Sequence, residues 1–365
     1  MAEKRPKILV APLDWGLGHA TRCIPIINEL IVNNCEVILA ADGAQKKLLQ
    51  DEFPSLRVVE LQGYRIQYGR NGRQTIRKII LQIPKILMQI NRERGWLNRF
   101  QAREELDGVI SDNRYGLHHP NIRSVLVCHQ LYIPSSFGRI VDAILMNIHY
   151  RYIRKFTICW VPDFVRNYSL AGLLSHPTPL PFVDLRYTGC LTRFKKLPEP
   201  VVPGSVLVIL SGPEPQRGIL EQIIWKDLPA YKGKLTLVRG LPAATETPEY
   251  PPGVEVYNHL PAAELNRLVC AAEIVISRSG YSSVMDLLML GKKTIMIPTE
   301  GQPEQEYLAE YLSGKNWAYV IQQKDFGLLS ALNAAGEFVF TKYEPPQGDG
   351  LSAAVRAFLS GPRGQ

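Results

Sequence analysis

The sequence predicts an α/β protein made of two Rossmann-like domains, each a parallel sheet covered by helices. Short apolar strands alternate with amphipathic helices along the whole chain, a pattern typical of parallel sheets. A chain of 365 residues is longer than one hydrophobic core usually requires, so two domains are expected. A stretch rich in proline and lysine, residues 192–204, interrupts the alternation and is the best linker in the sequence.

These observations predict an N-terminal domain over residues 1–191, a linker over 192–204 and a C-terminal domain over 205–345, followed by a helical segment over 346–365. The six cysteines are scattered without a CxxC pair, which argues against a disulfide framework and favours a reduced, cytoplasmic setting. No uncharged apolar run approaches the roughly 20 residues that span a bilayer, so a soluble or peripheral protein is expected.

The first predicted strand, Lys7–Pro12, runs into a loop containing Gly16 and Gly18 and then into an apolar helix. With a second strand at Glu36–Ala40, this is also the outline of a dinucleotide-binding fold. Thr21 stands where the third small residue of GxGxxG belongs, so NAD or FAD binding is disfavoured.

Residues 64–103 carry ten basic residues and one acid, in a chain whose formal net charge is +8. Their apolar residues recur at helical spacing, with a break expected at Pro84, and arginines or lysines fill the opposite face. The segment fits either a core-packed helix with a solvated basic face or an amphipathic helix on an anionic membrane. Nucleic acid is not expected, because no recognition motif accompanies the charge.

The C-terminal domain begins with the apolar strand Ser205–Leu210, followed by a loop and a helix from about Gly218. Prolines in the loop lack N–H groups, and Glu214 repels a diphosphate unless it is turned away. The loop's remaining candidate donors to a phosphate are Ser211, Gly212 and Arg217. Further strands are expected at Leu235–Val238, Val254–Tyr257, Ile274–Ser277 and Thr294–Pro298.

A serine stripe follows the strand that ends at Ser277. The free N–H groups where the next helix opens, at Ser279 and Gly280, suit a phosphate, as does the positive end of the helix dipole. About two turns further on the same face, Asp286 is spaced to accept two O–H bonds from a vicinal diol. Taken singly, Ser279 also fits an ordinary N-cap and Asp286 a solvated surface charge. The stripe consists of Ser279, Ser282, Ser283 and Asp286.

This stretch resembles the donor-binding segment of family-28 glycosyltransferases. That family contains the peptidoglycan GlcNAc transferase that completes lipid II and the diacylglycerol glycosyltransferases of plants and bacteria. The resemblance implies the GT-B fold, in which two Rossmann-like domains face each other and the segment 346–365 packs back across the cleft. It rests on Ser277, Arg278, Ser279, Gly280, Asp286, Gly291, Pro298 and Gln305.

In the family this segment holds the UDP of a nucleotide sugar, so a UDP-sugar is the implied co-substrate and no other cofactor is expected. An acid at the place of Asp286 binds the ribose, although the family usually has the longer Glu there. A Gln at the place of Gln305 faces the donor sugar, and backbone atoms near Leu260 hold the uracil. Arg278 and Arg217 are the candidates that stabilise the departing diphosphate. With Ser211, Gly212, Ser279 and Gly280, these residues form the implied donor site.

The N-terminal loop with Gly16, Gly18 and His19 resembles the G-x-G-H loop of the same family, whose histidine faces the cleft. The resemblance implies that His19 is the general base for the acceptor hydroxyl; the alternative is a histidine that makes a local cap. Related enzymes often orient the base with a carboxylate after a later strand, which makes Asp112 its candidate partner. His129, at the end of another strand, is the acceptor-side candidate.

These features predict an inverting glycosyltransferase that moves a hexosyl group from a UDP-sugar to an acceptor hydroxyl without a bound metal. A lipid-linked acceptor and peripheral contact of residues 64–103 with an anionic membrane are part of the prediction. Two alternatives remain open. One is a nucleotide-sugar hydrolase or epimerase, for which Glu300, Glu304 and Glu306 are candidate acids and bases. The other is a non-catalytic UDP-sugar-binding subunit that docks on membranes.

Overall fold

The structure, a computed structural model, describes residues 5–67, 69, 72–135 and 137–361. These residues form two parallel sheets, one in each half of the chain, which confirms the predicted α/β class with two parallel-sheet domains. Arg70 of the basic segment, residues 1–4 of the N-terminal domain and residues 362–365 of the closing segment lie outside the described residues.

The first sheet lies in the N-terminal half, and all its strand pairs are parallel. Its strands are β1 (Lys7–Pro12), β2 (Glu36–Ala41), β3 (Arg57–Glu60), β4 (Gly108–Asp112), β5 (Arg123–Val127), β6 (Ile158–Val161) and β7 (Asp184–Tyr187). Their order is β3-β2-β1-β4-β5-β6-β7, so the direction of winding reverses between β1 and β4. Open α/β sheets bind ligands at the carboxyl edge next to such a reversal.

The second sheet repeats this plan in the C-terminal half. Its strands are β8 (Ser205–Ile209), β9 (Lys234–Val238), β10 (Val254–Tyr257), β11 (Ile274–Ser277), β12 (Lys293–Met296) and β13 (Tyr319–Val320). Their order is β10-β9-β8-β11-β12-β13, with the reversal between β8 and β11. The segment that follows β11 is therefore at the edge where a ligand is expected.

Helices cover both faces of each sheet. They are α1 (Leu17–Val32), α2 (Gly43–Glu52), α3 (Gly72–Glu104), α4 (Arg139–Ile153), α5 (Gln216–Asp227), α6 (Ala262–Ala271), α7 (Tyr281–Met289), α8 (Pro303–Gly314), α9 (Leu328–Glu337) and α10 (Gly350–Ser360). Within β1, Ile8 and Val10 pack into the core under α1, whereas Leu9 and Ala11 pack into the core under α3. Strands buried on both faces explain the apolar runs from which the strands were predicted.

Helix α3 continues through Pro84, so the predicted break there is wrong. With 33 residues the helix is about 50 Å long. Proline removes one N–H and crowds the carbonyl four residues earlier, which here belongs to Ile80. Both residues are exposed, so water can satisfy the displaced carbonyl.

Helix α10 closes the chain on the N-terminal domain. Val355 and Phe358 are buried in the same core as Ile8 of β1, and the Phe358 ring meets Trp160 of β6 edge to face. Arg123 of β5 donates to the Phe358 carbonyl, which also caps the end of the helix. Residues 350–360 therefore leave the C-terminal domain and pack on the first sheet.

The two sheets face each other through their carboxyl edges. At the start of α7, Ser282 Oγ donates to the Gly18 carbonyl at 2.9 Å, and Tyr281 donates through its hydroxyl to the Pro162 carbonyl at 2.7 Å. A Cβ on Gly18 would lie 2.9 Å from Ser282 Oγ, so this close approach requires glycine. The interdomain cleft is closed in this conformation.

Candidate active site

The candidate base and its partner lie at the reversal point of the first sheet. Gly16, with φ of +87°, turns the chain from β1 into α1, and His19 lies in the first turn of that helix. Asp112 is the last residue of β4 and pairs with Pro12 of β1 in register. This geometry brings the imidazole Nδ1 of His19 to 3.1 Å from Asp112 Oδ2.

The electrostatics of the pair suit a base and its orienting carboxylate. Burial lowers the pKa of His19 below 6.5, and the Arg22 guanidinium lowers it further, while Asp112 opposes both. Burial by itself would raise the pKa of Asp112, but Arg22 and His19 hold that pKa below its ordinary value. At neutral pH the imidazole is therefore neutral and the carboxylate ionised, the two states that proton abstraction requires.

Arg22 is a candidate functional residue that the sequence analysis missed. It is 2% exposed and clamps Asp112 from two sides, with Nε 2.7 Å from Oδ2 and Nη2 in contact with Oδ1. It also contacts Nδ1 of His19 at 2.8 Å and Nδ1 of His129 at 3.1 Å. The available signal was an arginine three residues after His19, on the same face of an otherwise apolar helix.

His129 links the two domains. Its Nε2 lies 3.1 Å from Oε1 of Glu304 on α8, and its ring stacks on Tyr281 of α7 with centroids 4.2 Å apart. Burial would raise the pKa of Glu304, but His129 holds that pKa below its ordinary value. A continuous polar network thus runs from Asp112 through Arg22 and His129 to a carboxylate of the C-terminal domain.

On the donor side, α7 begins with its first turn directed at the cleft. Gly280 precedes the helix in extended conformation, so the first N–H groups have no intrahelical partner. Ser279 Oγ donates to the Gln305 carbonyl at 2.8 Å, and Gln305 Oε1 accepts from the Thr299 N–H at 2.9 Å. The first contact fixes the turn between β11 and α7 against the start of α8, and the second holds the loop after β12 on the same helix.

Asp286 is nearly buried on the face of α7 that meets the linker. Its Oδ1 accepts from Thr192 Oγ1 at 2.6 Å, and its Oδ2 lies 4.0 Å from Arg193 Nε. Burial raises the pKa of Asp286, which Arg193 and Thr192 partly offset. In this closed conformation, linker residues contact the carboxylate that the resemblance assigns to binding the ribose.

The two arginines predicted for the diphosphate make other contacts through their guanidinium groups in this structure. Arg278 is 1% exposed and donates to the carbonyls of Ile297, Pro298 and Gln216, and burial lowers its pKa to about 10. Arg217 forms ion pairs of 2.6 Å with both Glu214 and Glu221. Arg278 therefore holds the turn after β11 in place, and the charge of Arg217 is already neutralised by two carboxylates.

The other predicted residues lie near the same edge of the second sheet. Gly212, with φ of +96°, ends the turn after β8 and has open space where a Cβ would stand, as does Gly16 in the other domain. Ser211 lies beside Gly212 and is partly exposed. Leu260 is a core residue, so only its backbone is free to hold a base.

Comparison with known proteins identifies the kind of enzyme. Residues 243–342 match the glycosyltransferase family 28 C-terminal domain. An uncharacterized glycosyltransferase of Methanosarcina mazei is 22% identical over 357 residues, which covers 91% of this chain and 88% of the relative. The chain is a glycosyltransferase that resembles family 28.

Two further comparisons extend the match to a nucleotide-sugar enzyme and to a solved structure. Over 77 residues the glycosyltransferase is 39% identical to the UDP-N-acetylglucosamine–N-acetylmuramyl-(pentapeptide) pyrophosphoryl-undecaprenol N-acetylglucosamine transferase of Lachnoclostridium phytofermentans, covering 20% of this chain and 22% of that enzyme. The spinosyn rhamnosyltransferase SpnG complexed with thymidine diphosphate superposes with a TM-score of 0.60 at 13% identity, over 96% of this chain and 95% of that one. This likeness confirms the GT-B fold.

The described residues form no helix that combines the length and apolar character of a membrane span. Nor do they contain a group of three or more His, Cys, Asp or Glu side chains arranged to hold a metal ion.

Proposed function

We propose that the glycosyltransferase moves a hexosyl group from a UDP-sugar to an acceptor hydroxyl, with inversion and without a bound metal ion. The observation that carries this proposal is the position of the His19–Asp112 pair beside α7. Gly18, next to the base, accepts a hydrogen bond from Ser282 in the first turn of that helix. The base of one domain therefore faces the candidate phosphate site of the other.

In the proposed reaction, Nε2 of His19 takes the proton of the acceptor hydroxyl as that oxygen attacks the anomeric carbon. Asp112 stabilises the imidazolium that forms. The bond from the anomeric carbon to the diphosphate oxygen breaks, and its electron pair leaves with UDP. The first N–H groups and the dipole of α7 stabilise this charge, in place of Arg278 and Arg217. One displacement inverts the anomeric centre.

The nucleotide of the donor follows from Asp286. The Lachnoclostridium enzyme is named for a UDP-sugar and the spinosyn enzyme is complexed with thymidine diphosphate, which together support a nucleoside diphosphate sugar. A carboxylate that accepts from both hydroxyls of a vicinal diol favours UDP, because thymidine diphosphate lacks the 2′ hydroxyl. The ligand must replace the hydrogen bond from Thr192 to Asp286.

We expect Asp286→Ala to weaken UDP binding about tenfold to a hundredfold in Kd, because a hydrogen bond to a charged group contributes about 1.5–3 kcal/mol. Calorimetric titration of the wild type and the variant with UDP, thymidine diphosphate and NAD measures this change in Kd. Thr192→Ala is the matched control: it frees the carboxylate, so binding stays equal or tightens. UDP binding that is absent in the wild type, or indifferent to Asp286, contradicts the donor site.

Two of the three acids that are candidates for an epimerase or hydrolase mechanism are engaged in structural contacts, whereas Glu300 is exposed. Glu304 pairs with His129, and Glu306 accepts from the Gly301 N–H at 2.8 Å. An epimerase needs free acids and bases around the sugar. These contacts favour the transferase, and a screen of UDP-sugars for release of UDP with and without added acceptors tests the choice.

An exposed apolar surface supports a lipid-linked acceptor. Apolar side chains of α3 and of residues 137–148 are 44–79% exposed. Three of them, Ile80, Leu81 and Phe137, line a shared cavity of about 360 Å³. Arg73 and Arg77 also line the cavity. The α3–α4 apolar surface consists of Ile80, Leu81, Ile83, Leu87, Met88, Phe137, Ile140, Ile144 and Ile148.

We propose that this surface docks on an anionic membrane, at its cytoplasmic face. Apolar side chains enter the headgroup boundary while the basic residues of α3 face anionic lipid, at about 1 kcal/mol for each. The single acid of the segment, Glu93, is buried and paired with Arg114, so it does not offset the charge of the exposed face.

We expect vesicles containing anionic lipid to bind the protein more strongly than neutral vesicles, with the difference shrinking at high salt. The double variant Leu81→Ser with Ile140→Ser should weaken binding at least about tenfold, since each apolar side chain contributes about 1.5–3 kcal/mol when buried. Co-sedimentation measures both effects. The control is Val339→Ser, which changes an 81% exposed apolar residue of the other domain. Equal binding to both vesicle types contradicts the electrostatic part.

A further inference from the structure

The two histidines of the cleft share one arginine, and this sharing determines where each carries its proton. Nη1 of Arg22 lies 3.1 Å from Nδ1 of His129. A guanidinium only donates, so Nδ1 of His129 accepts. Its proton is then on Nε2, which donates to Glu304 Oε1 at 3.1 Å. With both nitrogens committed, His129 has no lone pair left for an acceptor hydroxyl.

His19 faces two conflicting demands at Nδ1. Asp112 Oδ2 lies 3.1 Å away and requires a proton on Nδ1, whereas Arg22 Nη2 lies 2.8 Å away and requires a lone pair there. Only the first arrangement leaves the lone pair on Nε2, the nitrogen that abstracts a proton. Which arrangement holds depends on whether Nη2 has a hydrogen to spare.

Asn113 takes that hydrogen. The amide of Asn113 lies between the Val127 carbonyl, which only accepts, and Arg22 Nη2, which only donates. Its nitrogen therefore donates to Val127 at 3.3 Å and its oxygen accepts from Nη2 at 3.1 Å. One Nη2 hydrogen goes to Asp112 Oδ1 and the other to Asn113. The backbone of Asn113 has φ of +55°, a left-handed conformation that asparagine tolerates.

We propose that Asn113 is a positioning residue: by accepting the second Nη2 hydrogen of Arg22, it keeps the proton of His19 on Nδ1 and the lone pair on Nε2. The two cleft histidines therefore carry opposite tautomers, His19 with Nδ1–H and His129 with Nε2–H. The charged and titratable groups facing His19 are Arg22 on its own helix, Asp112 on β4, His129 after β5 and Glu304 on α8. The catalytic consequence rests on the proposed role of His19, whereas the tautomers do not.

The test is NMR of the protein with nitrogen-15 in its histidine rings, because protonated and unprotonated ring nitrogens differ in chemical shift. Spectra are taken above the titration of both imidazoles and assigned with His19→Gln and His129→Gln. The wild type should show Nδ1–H for His19 and Nε2–H for His129. Asn113→Gly, which keeps the left-handed backbone, should move the His19 proton to Nε2. Asn113→Asp retains an acceptor oxygen and should leave it on Nδ1.

The kinetic readout is kcat/KM for transfer. Asn113→Gly should lower kcat by about 10²-fold, the lower end of the effect of general base catalysis, with the KM for the donor unchanged. Asn113→Asp should restore most of the loss. A wild-type His19 protonated on Nε2, or an Asn113→Gly variant that keeps Nδ1–H, overturns the proposal. If the tautomers are as expected but the protein transfers no sugar, the positioning role of Asn113 stands and the proposed function is rejected instead.

Discussion

Replacing His19 with glutamine should lower the rate of sugar transfer by about 10²–10⁴-fold, the contribution of a positioned general base. Glutamine preserves the size and polarity of the side chain but cannot accept the proton of the hydroxyl. The helix start is not expected to change, because Gly16 and Gly18 determine it. Donor binding should remain within about twofold, since a base contacts the acceptor and not the nucleotide.

Steady-state release of UDP measures the loss, and calorimetry with UDP verifies that the donor site is intact. His119→Gln is the matched control, because that histidine lies in a loop where its Nδ1 accepts from the Asn121 N–H at 3.2 Å. Near-normal turnover in His19→Gln removes the base assignment. A loss of UDP binding in the same variant would instead indicate a structural role.

The same residue sets the pH dependence. His19 acts as a base when neutral, and burial with Arg22 lowers its pKa below 6.5. We therefore expect kcat/KM to rise with pH through an apparent pKa below 6.5 and to stay level at neutral pH. A rise centred well above 6.5 contradicts this, because it would require a base whose charged form is stabilised.

The second large effect concerns stability. Arg114→Met should lower the free energy of unfolding by about 3–5 kcal/mol, the usual result of removing one partner of a buried ion pair. Arg114 is 1% exposed, and its Nε donates to Oε1 of the fully buried Glu93 at 2.9 Å. The same carboxylate accepts from the Tyr64 hydroxyl at 2.8 Å, so the pair fastens α3 to the loop at the cleft rim.

Denaturant unfolding followed by circular dichroism measures the change, and Arg77→Met on the exposed face of α3 is the control, expected within about 0.5 kcal/mol. Burial raises the pKa of Glu93 and Arg114 opposes that rise. Without Arg114 the folded pKa of Glu93 rises further, so the contribution of this group to the variant's stability is fully present below the unfolded pKa and is lost as pH rises through the folded pKa. Adding Glu93→Gln to Arg114→Met should recover part of the lost stability. A double variant that is no more stable than Arg114→Met contradicts this account.

Many strands of the two halves could be predicted because their signals are local. A strand buried on both faces is a short apolar run, and the predicted Lys7–Pro12 and Ile274–Ser277 match β1 and β11. The predicted Val254–Tyr257 matches β10, an edge strand whose residues alternate between half-buried and exposed. Pro84 misled the prediction for α3, since the cost of a proline depends on whether the carbonyl that it displaces is exposed, which the residue type does not reveal.

The site was predicted in part. His19 and Asp112, named through the G-x-G-H resemblance, are 93 positions apart in the chain and meet at 3.1 Å. Arg22 and Asn113 were not recognised, and Glu304 was named only as a candidate acid of an epimerase, because each acts through a partner that only the packing of α1, β4 and α8 brings within reach.

The contacts of charged side chains show most clearly what the sequence by itself does not determine. From residue types and spacing alone, the chain was recognisable as two parallel-sheet domains with a nucleotide-type helix start at Ser279. The histidine opposite that helix was implied by the family resemblance. Whether a charged side chain is free to meet a ligand was decided by the tertiary structure. Arg278 lies in the motif itself, yet backbone carbonyls from two other segments take its donors. Periodicity follows from neighbours along the chain, whereas the saturation of a buried donor depends on acceptors that only folding brings to it.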